Sequence, residues 1–263
     1  MPTQAFEAGV VQTLAARRPD LVPPLLAVDL ERGWMLQADG GILLRRIVDG
    51  TDQSIWVEIL PRYAELQIDA AVDRDRLLAA GVPDRRLALL TGQLEELLHD
   101  REALPAITDD ELGRLQRLLP RISEDARALG AYGLPETIQH DDLHDGQVFL
   151  RGGGYVFFDW GDSCVSHPFF TLVVTLAVLA YRLNLEHEAP ELDRFRDAYL
   201  EPWTRFASRA ELTEALPISH RLGLLCRGLT WASIVAALPR PLRADEEDAY
   251  PERMRLLLEV YRG

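Results

Sequence analysis

Residues 138–170, IQHDDLHDGQVFLRGGGYVFFDWGDSCVSHPFF, restrict the fold more than any other part of the chain, because they demand strands, a tight turn and polar loops within a short span. Residues 148–150 are apolar and residues 155–158 are β-branched or aromatic. Gly152, Gly153 and Gly154 lie between them, a pattern that predicts a β-hairpin. Residues 138–139 form another brief apolar run, and residues 140–147 then make a polar loop leading into the hairpin. Asp159 falls just past the second strand. Asp142 and Asp159 are thus expected to project from neighbouring loops on a rigid scaffold, which is where reactive groups tend to be held.

The loop His140-Asp141-Asp142-Leu143-His144-Asp145-Gly146-Gln147 resembles the catalytic loop H-x-D-x-x-x-x-N of aminoglycoside phosphotransferases and their choline-kinase-like relatives. Phe158-Asp159-Trp160 resembles the Asp-Trp step that stands in that family where protein kinases have D-F-G. Loop, strand pair with a glycine turn, and second Asp also follow one another in the family's order. The resemblance implies an α+β, protein-kinase-like fold of two lobes. Residues 1–41 would be a truncated N-terminal lobe of helix, two strands and hinge, and residues 42–263 a mainly helical C-terminal lobe. It also implies transfer of the γ-phosphoryl of ATP or GTP to a hydroxyl of a metabolite or antibiotic, with Mg²⁺ offsetting the phosphate charge. On that reading Asp142 accepts or orients the hydroxyl proton, and Asp159 is the principal Mg²⁺ ligand. His140 shapes the loop. Gln147 stands where the family has Asn: the amide chemistry survives, but one added methylene moves its carbonyl outward by about 1.5 Å. Mg²⁺ demands near-octahedral geometry, so Gln147 is expected to be a second, weaker ligand.

All 28 basic residues are Arg, and the sequence contains no Lys. Kinases of this shape grip the nucleotide phosphates with a strand Lys. The helix predicted at residues 3–18, the strands at 25–28 and 34–37, and the hinge at Asp39-Gly40-Gly41 correspond to the second half of such a lobe. The first strands, the phosphate-covering loop and the Lys strand would precede Thr3, so either the gene starts upstream or the lobe is shortened. By resemblance, Glu7 occupies the position of the helix Glu that pairs with the Lys; without that Lys it is expected to be a solvated acid at a helix start. Glu7 and Asp39 are the residues assigned to the nucleotide side. The missing Lys and Gln147 motivate an alternative, a kinase-shaped binding or regulatory protein without turnover. A more remote one is a metal-dependent hydrolase using His140, Asp142 and His144 as Zn²⁺ or Fe²⁺ ligands.

With 48% hydrophobic residues among 263, the chain can bury a substantial core. A net charge of −14 argues against a nucleic-acid partner. It fits a cationic or neutral small substrate, with a solvated acidic surface as the commoner reading, and leaves nucleotide and a small hydroxyl-bearing molecule as the expected ligands, with oligomeric state open. Cys164 and Cys226 show no metal-ligand spacing and read as free thiols of a cytoplasmic protein. No signal peptide is visible, and the longest apolar run, residues 169–181, is too short to span a bilayer. It reads as a buried helix, with Ser166 as its cap and Pro168 in its first turn. Other helices are predicted at 55–75, interrupted at Pro61, and at 76–80, 86–98 and 109–129, the last capped by Thr108 with Glu111. Further helices are predicted at 192–207, 209–216, 219–238 and 244–261. Trp56 and Tyr63 are expected in the core, and Asp145 and Asp162 as loop acids. The resemblance, which implies an acceptor pocket lined by the C-terminal helices, makes Glu186, Glu188 and Asp193 candidates for contact with a cationic substrate, against the blander expectation of a solvated face.

Overall fold

The protein is described by a computed structural model covering residues 4–48, 50, 52–100, 104, 107–238 and 249–262. It opens with α1 (Glu7–Arg17), which turns Val10, Val11 and Leu14 inward. The antiparallel pair β1 (Leu25–Asp29) and β2 (Trp34–Gln37) follows, its turn held by the Asp29 carboxylate accepting the Arg32 N–H at 3.1 Å. A short β3 (Ile42–Leu43), not foreseen in the sequence, pairs with β5 (Val148–Arg151). The predicted hairpin of β5 and β6 (Gly154–Phe157) thereby becomes a three-stranded sheet. Gly41 permits this approach: it has φ +99, and a Cβ there would lie 2.1 Å from the Leu150 carbonyl oxygen.

The core is one continuous cluster running from α1 to the last helix. At its centre lies α2 (Trp56–Ala70), which passes through Pro61 and buries Trp56, Ile59, Leu60, Tyr63 and Leu66. Gln67 on this helix is fully buried yet satisfied. Its amide donates to the Ile138 carbonyl at 3.0 Å, its side-chain oxygen accepts from Tyr199 Oη at 2.6 Å, and its backbone oxygen accepts from Thr137 Oγ1 at 2.7 Å. An unpaired amide here would cost on the order of 1–3 kcal/mol, so these bonds fix β4 (Thr137–Gln139) against α2. β4 pairs with β7 (Cys164–Ser166), and the loop after α3 (Arg74–Ala79) joins through Val165 N–H to the Pro83 oxygen at 2.9 Å. The antiparallel α4 (Leu87–His99) and α5 (Asp109–Gly130), the latter with its Thr108–Glu111 capping box, cover the other side of the core.

Beyond β7 run α6 (Leu172–Leu183), α7 (Asp193–Leu200), α8 (Arg209–Ala237) and α9 (Ala249–Val260); the predicted residues 244–248 of the last helix lie outside the described residues. Two expectations are corrected. Residues 209–216 and 219–238 are one helix, because an interior proline costs roughly 3 kcal/mol whereas each buried leucine on the continuous axis contributes about 1.5–3 kcal/mol. Leu212, Leu222 and Leu225 are such residues on both sides of Pro217. Ser166 does not cap a helix, because it closes β7 opposite Thr137; His167 takes that role, its Nδ1 accepting the Phe169 N–H at 3.3 Å.

Cys164 and Cys226 are free but lie 3.7 Å apart in the interior, a proximity that their sequence separation conceals. Among the described residues no helix is long and apolar enough to cross a membrane.

Burial pushes the His167 imidazole down to about 3, and its Nε2 has no partner. A folded value below the unfolded one, about 6.5, means that stability is complete above pH 6.5 and is lost as pH falls toward 3, at about 1.4 kcal/mol per pH unit. His167→Asn keeps a cap acceptor without the titration. Urea unfolding between pH 7 and pH 4 is expected to show a lower plateau but an acid limb shallower by about one proton, and an unchanged slope would show that His167 does not control it.

Candidate active site

β4 delivers the chain into the polar loop, and His140, its first residue, is fixed on three sides. Its backbone N–H donates to Tyr63 Oη on α2 at 2.9 Å, its Nε2 lies 2.8 Å from the Phe158 carbonyl oxygen, and its ring lies tilted against Trp160, centroids 4.8 Å apart. Accepting neighbours at Nε2 require the proton there, leaving Nδ1 as an unpartnered lone pair. Burial holds the imidazole below its ordinary range and therefore neutral. With Nε2 committed to a carbonyl, only Nδ1 could take a metal, and it does not converge with Asp142 and His144 on a shared site. Among the described residues no three His, Cys, Asp or Glu side chains converge as a metal group.

Asp141 then turns the chain at φ 62, a left-handed conformation costing on the order of 1–3 kcal/mol for a residue with a side chain. Gln139 clamps it from both ends, accepting the Asp141 N–H at 2.8 Å and donating to Oδ1 at 2.9 Å. The turn brings Asp142, half-buried, to face α8. Arg227 of that helix, 5% exposed, donates from Nη2 to Asp142 Oδ1 at 2.8 Å, and from Nη1 to Asp162 at 3.1 Å and Asp141 at 3.3 Å. His144 Nε2 lies 3.4 Å from Asp142 Oδ2. Burial by itself would raise Asp142, but the His144 contact and the Arg227 guanidinium outweigh it and hold the carboxyl below its ordinary range. Asp141, fully enclosed, is pushed up by that burial despite the same guanidinium.

The second loop is built the same way. β6 ends and Asp159 adopts φ 63, ψ 65, leaving its carboxylate exposed. Gln147 Nε2 donates to Asp159 Oδ2 at 2.9 Å, and Phe158 N–H donates to the Gln147 backbone oxygen at 2.9 Å, so the two predicted metal ligands are side by side. With the amide turned about its last bond, Gln147 would present oxygen beside the Asp159 carboxylate, a hard-oxygen set that suits Mg²⁺.

Glu7 is not the solvated acid that its place at a helix start predicts. Its Oε1 accepts the Trp160 N–H at 2.9 Å, and burial is the main reason its carboxyl lies above its ordinary range. Asp39 caps its own turn through Gly41 N–H at 3.0 Å, while its backbone oxygen accepts from Arg151 Nε at 3.1 Å.

Asp145 and Asp162 are not simple loop acids either. Asp145 is buried and holds both Arg45 and Arg182 at 2.9 Å, and Asp162 is one arm of the Arg227 cluster. Arg227 was missed in the sequence, although a lone Arg in the apolar run 222–230 is itself a signal, since arginine is almost never fully buried unpaired. Glu186 is exposed, as expected. Glu188 and Asp193 border a cavity of about 530 Å³ between α6, α7 and α8, to which Asp142, Gln147 and Asp159 contribute nothing.

The family model described as "Phosphotransferase enzyme family" matches residues 2–213. Comparison with curated protein sequences gave no match. Among solved structures, a macrolide 2'-phosphotransferase type I is similar at 16% identity and a TM-score of 0.57, over 93% of this chain and 77% of that one. An ethanolamine kinase from Plasmodium vivax is similar at 14% identity and a TM-score of 0.60, over 98% of this chain and 72% of the other. At these identities the likeness establishes the fold, a protein-kinase-like α+β architecture with a helical C-terminal region.

Tyr63→Phe removes the acceptor of the buried His140 N–H while keeping the ring. It is expected to lower stability by about 1–3 kcal/mol in urea unfolding, and an unchanged midpoint would mean that the loop is held elsewhere.

Proposed function

Because this chain belongs to the phosphotransferase enzyme family, we propose that it moves the γ-phosphoryl of ATP or GTP to a hydroxyl of a small molecule, a metabolite or an antibiotic, with Mg²⁺. The observation carrying this reading is the side-by-side placement of Gln147 and Asp159 on a loop pair that His140 stitches to the loop of Asp142. Asp142 would receive the acceptor hydroxyl. Its carboxyl lies below its ordinary range, so it stays ionised down to acid pH and acts more as an orienter than as a strong base. Asp159 would be the main Mg²⁺ ligand and Gln147 the second; the ion, when bound, offsets the charge that builds on the phosphates. Glu7 and Asp39 lie on the nucleotide side, Glu7 orienting the Asp159-Trp160 turn through the Trp160 N–H in place of pairing with a Lys. On this reading residues 1–41 belong to the nucleotide lobe and residues 42–263 to the acceptor lobe.

A second reading, a kinase-shaped binding protein without turnover, is favoured by one observation. Both oxygens of Asp142 are already engaged, by Arg227 and His144, so an incoming hydroxyl must displace one of them. The hydrolase reading finds no support in the geometry, since His140, Asp142 and His144 do not converge as a metal-holding group.

Asp142→Asn is expected to abolish phosphoryl transfer with the circular-dichroism spectrum unchanged, and Gln147→Asn to tighten Mg²⁺ binding in a metal titration. Retained turnover in Asp142→Asn overturns the assigned role. Stabilisation of the wild-type protein by ATP with Mg²⁺ in a thermal-shift titration, without transfer to any hydroxyl compound, would favour the second reading.

A further inference from the structure

Immediately beyond Asp142, α8 and α9 gather hydrogen-bond donors that have no acceptors. Arg227 and Arg253 both stack on Trp231, their guanidinium carbons 5.5 and 5.6 Å from the ring. Arg227 Nε, Arg253 Nε and Trp231 Nε1 are all buried without a hydrogen-bond partner. Arg227 at least spends its terminal nitrogens on Asp141, Asp142 and Asp162, whereas among the described residues no carboxylate hydrogen-bonds Arg253. Burial, and then the neighbouring Arg227, disfavour the Arg253 cation, while Asp141 and Asp142 act on it only through space. Gly228 contributes to this crowding: a Cβ there would lie 2.2 Å from Met254 Cε, so the glycine lets α9 seat against α8. A half-buried cation that no carboxylate hydrogen-bonds among the described residues, beside two further N–H groups without partners, is an arrangement that an oxygen-rich ligand would complete.

We infer that Arg253, with Trp231 and the Nε of Arg227, forms an anion subsite next to Asp142, and that the acceptor is a hydroxyl compound carrying a carboxylate or phosphate group. This rests on the proposed placement of the acceptor at Asp142, and it runs against the cationic substrate that a net charge of −14 suggests. The planar guanidinium suits either oxyanion, because its paired N–H groups match carboxylate and phosphate alike. The indole holds the two guanidiniums by cation–π attraction, which keeps them pre-organised for the anion.

The test uses isothermal titration of the full chain without nucleotide, with inorganic phosphate and gluconate as anionic probes and glucose and glucosamine as neutral and cationic counterparts. The anions are expected to bind in preference to glucose and glucosamine. Arg253→Gln should weaken them about tenfold or more, and Arg253→Lys should restore part of the loss. Repeating the titration at saturating ADP distinguishes the two sources of an oxyanion. Undiminished anion binding places the subsite on the acceptor side, and displacement by ADP assigns it to nucleotide phosphate and overturns the proposal. Equal affinity in Arg253→Gln, with an unchanged unfolding midpoint, or a preference for glucosamine also overturns it. Anion binding that depends on Arg253 in a protein without transfer activity would leave the subsite standing and reject the phosphotransferase reading alone.

Discussion

A buried neutral imidazole holds the loops of Asp142 and Asp159 in register. His140 receives nothing from solvent; its backbone is fixed by a tyrosine on the central helix and its ring by the carbonyl that precedes Asp159. Each contact joins elements distant in the chain, α2 to the first loop and the first loop to the second. Because the ring is enclosed, water cannot substitute for the Phe158 oxygen, so the bond has a definite geometry. Asp142 and Asp159 each sit one or two residues from its two ends, and small movements of the imidazole would shift both.

Around this seam the protein tolerates unfavourable local features. Asp141 and Asp159 both adopt left-handed backbone, and Arg227 is buried among three carboxylates. A buried ion cluster gives little net stability, because desolvation offsets most of the Coulomb attraction, but removing one partner leaves an uncompensated charge. The cluster therefore acts mainly on position. It fixes α8 against both loops and sets the carboxyl of Asp142 toward the ionised form. Two of the three non-glycine residues with left-handed backbone among the described residues, and the Arg227 cluster, thus lie around this seam.

The helices and the hairpin could be read from the sequence because each is encoded locally: leucines at helical spacing, a Thr-x-x-Glu cap, three glycines between two apolar runs. Where a distant segment decides the outcome, the local reading failed. Ser166 has the chemistry of a cap, yet pairing with Thr137 draws it into β7 and passes the cap to His167. Pro217 has the chemistry of a helix breaker, yet buried leucines on both sides keep α8 continuous. Glu7 has the place of a solvated first-turn acid, yet the Trp160 N–H donates to its carboxylate from a distant loop.

By itself the sequence determined the class of the fold, the presence of a carboxylate loop followed by a second acid, and the amide at position 147, since these depend on residue type and near-neighbour spacing. It also determined that residues 1–263 hold no lysine. Only the tertiary structure decided that Gln147 and Asp159 touch, that an arginine 85 residues along the chain reaches Asp142, and that Arg253 and Trp231 gather beside it. Such contacts are set by helix packing, where side chains far apart in sequence meet because the apolar faces around them must be buried together, and no local pattern encodes that meeting.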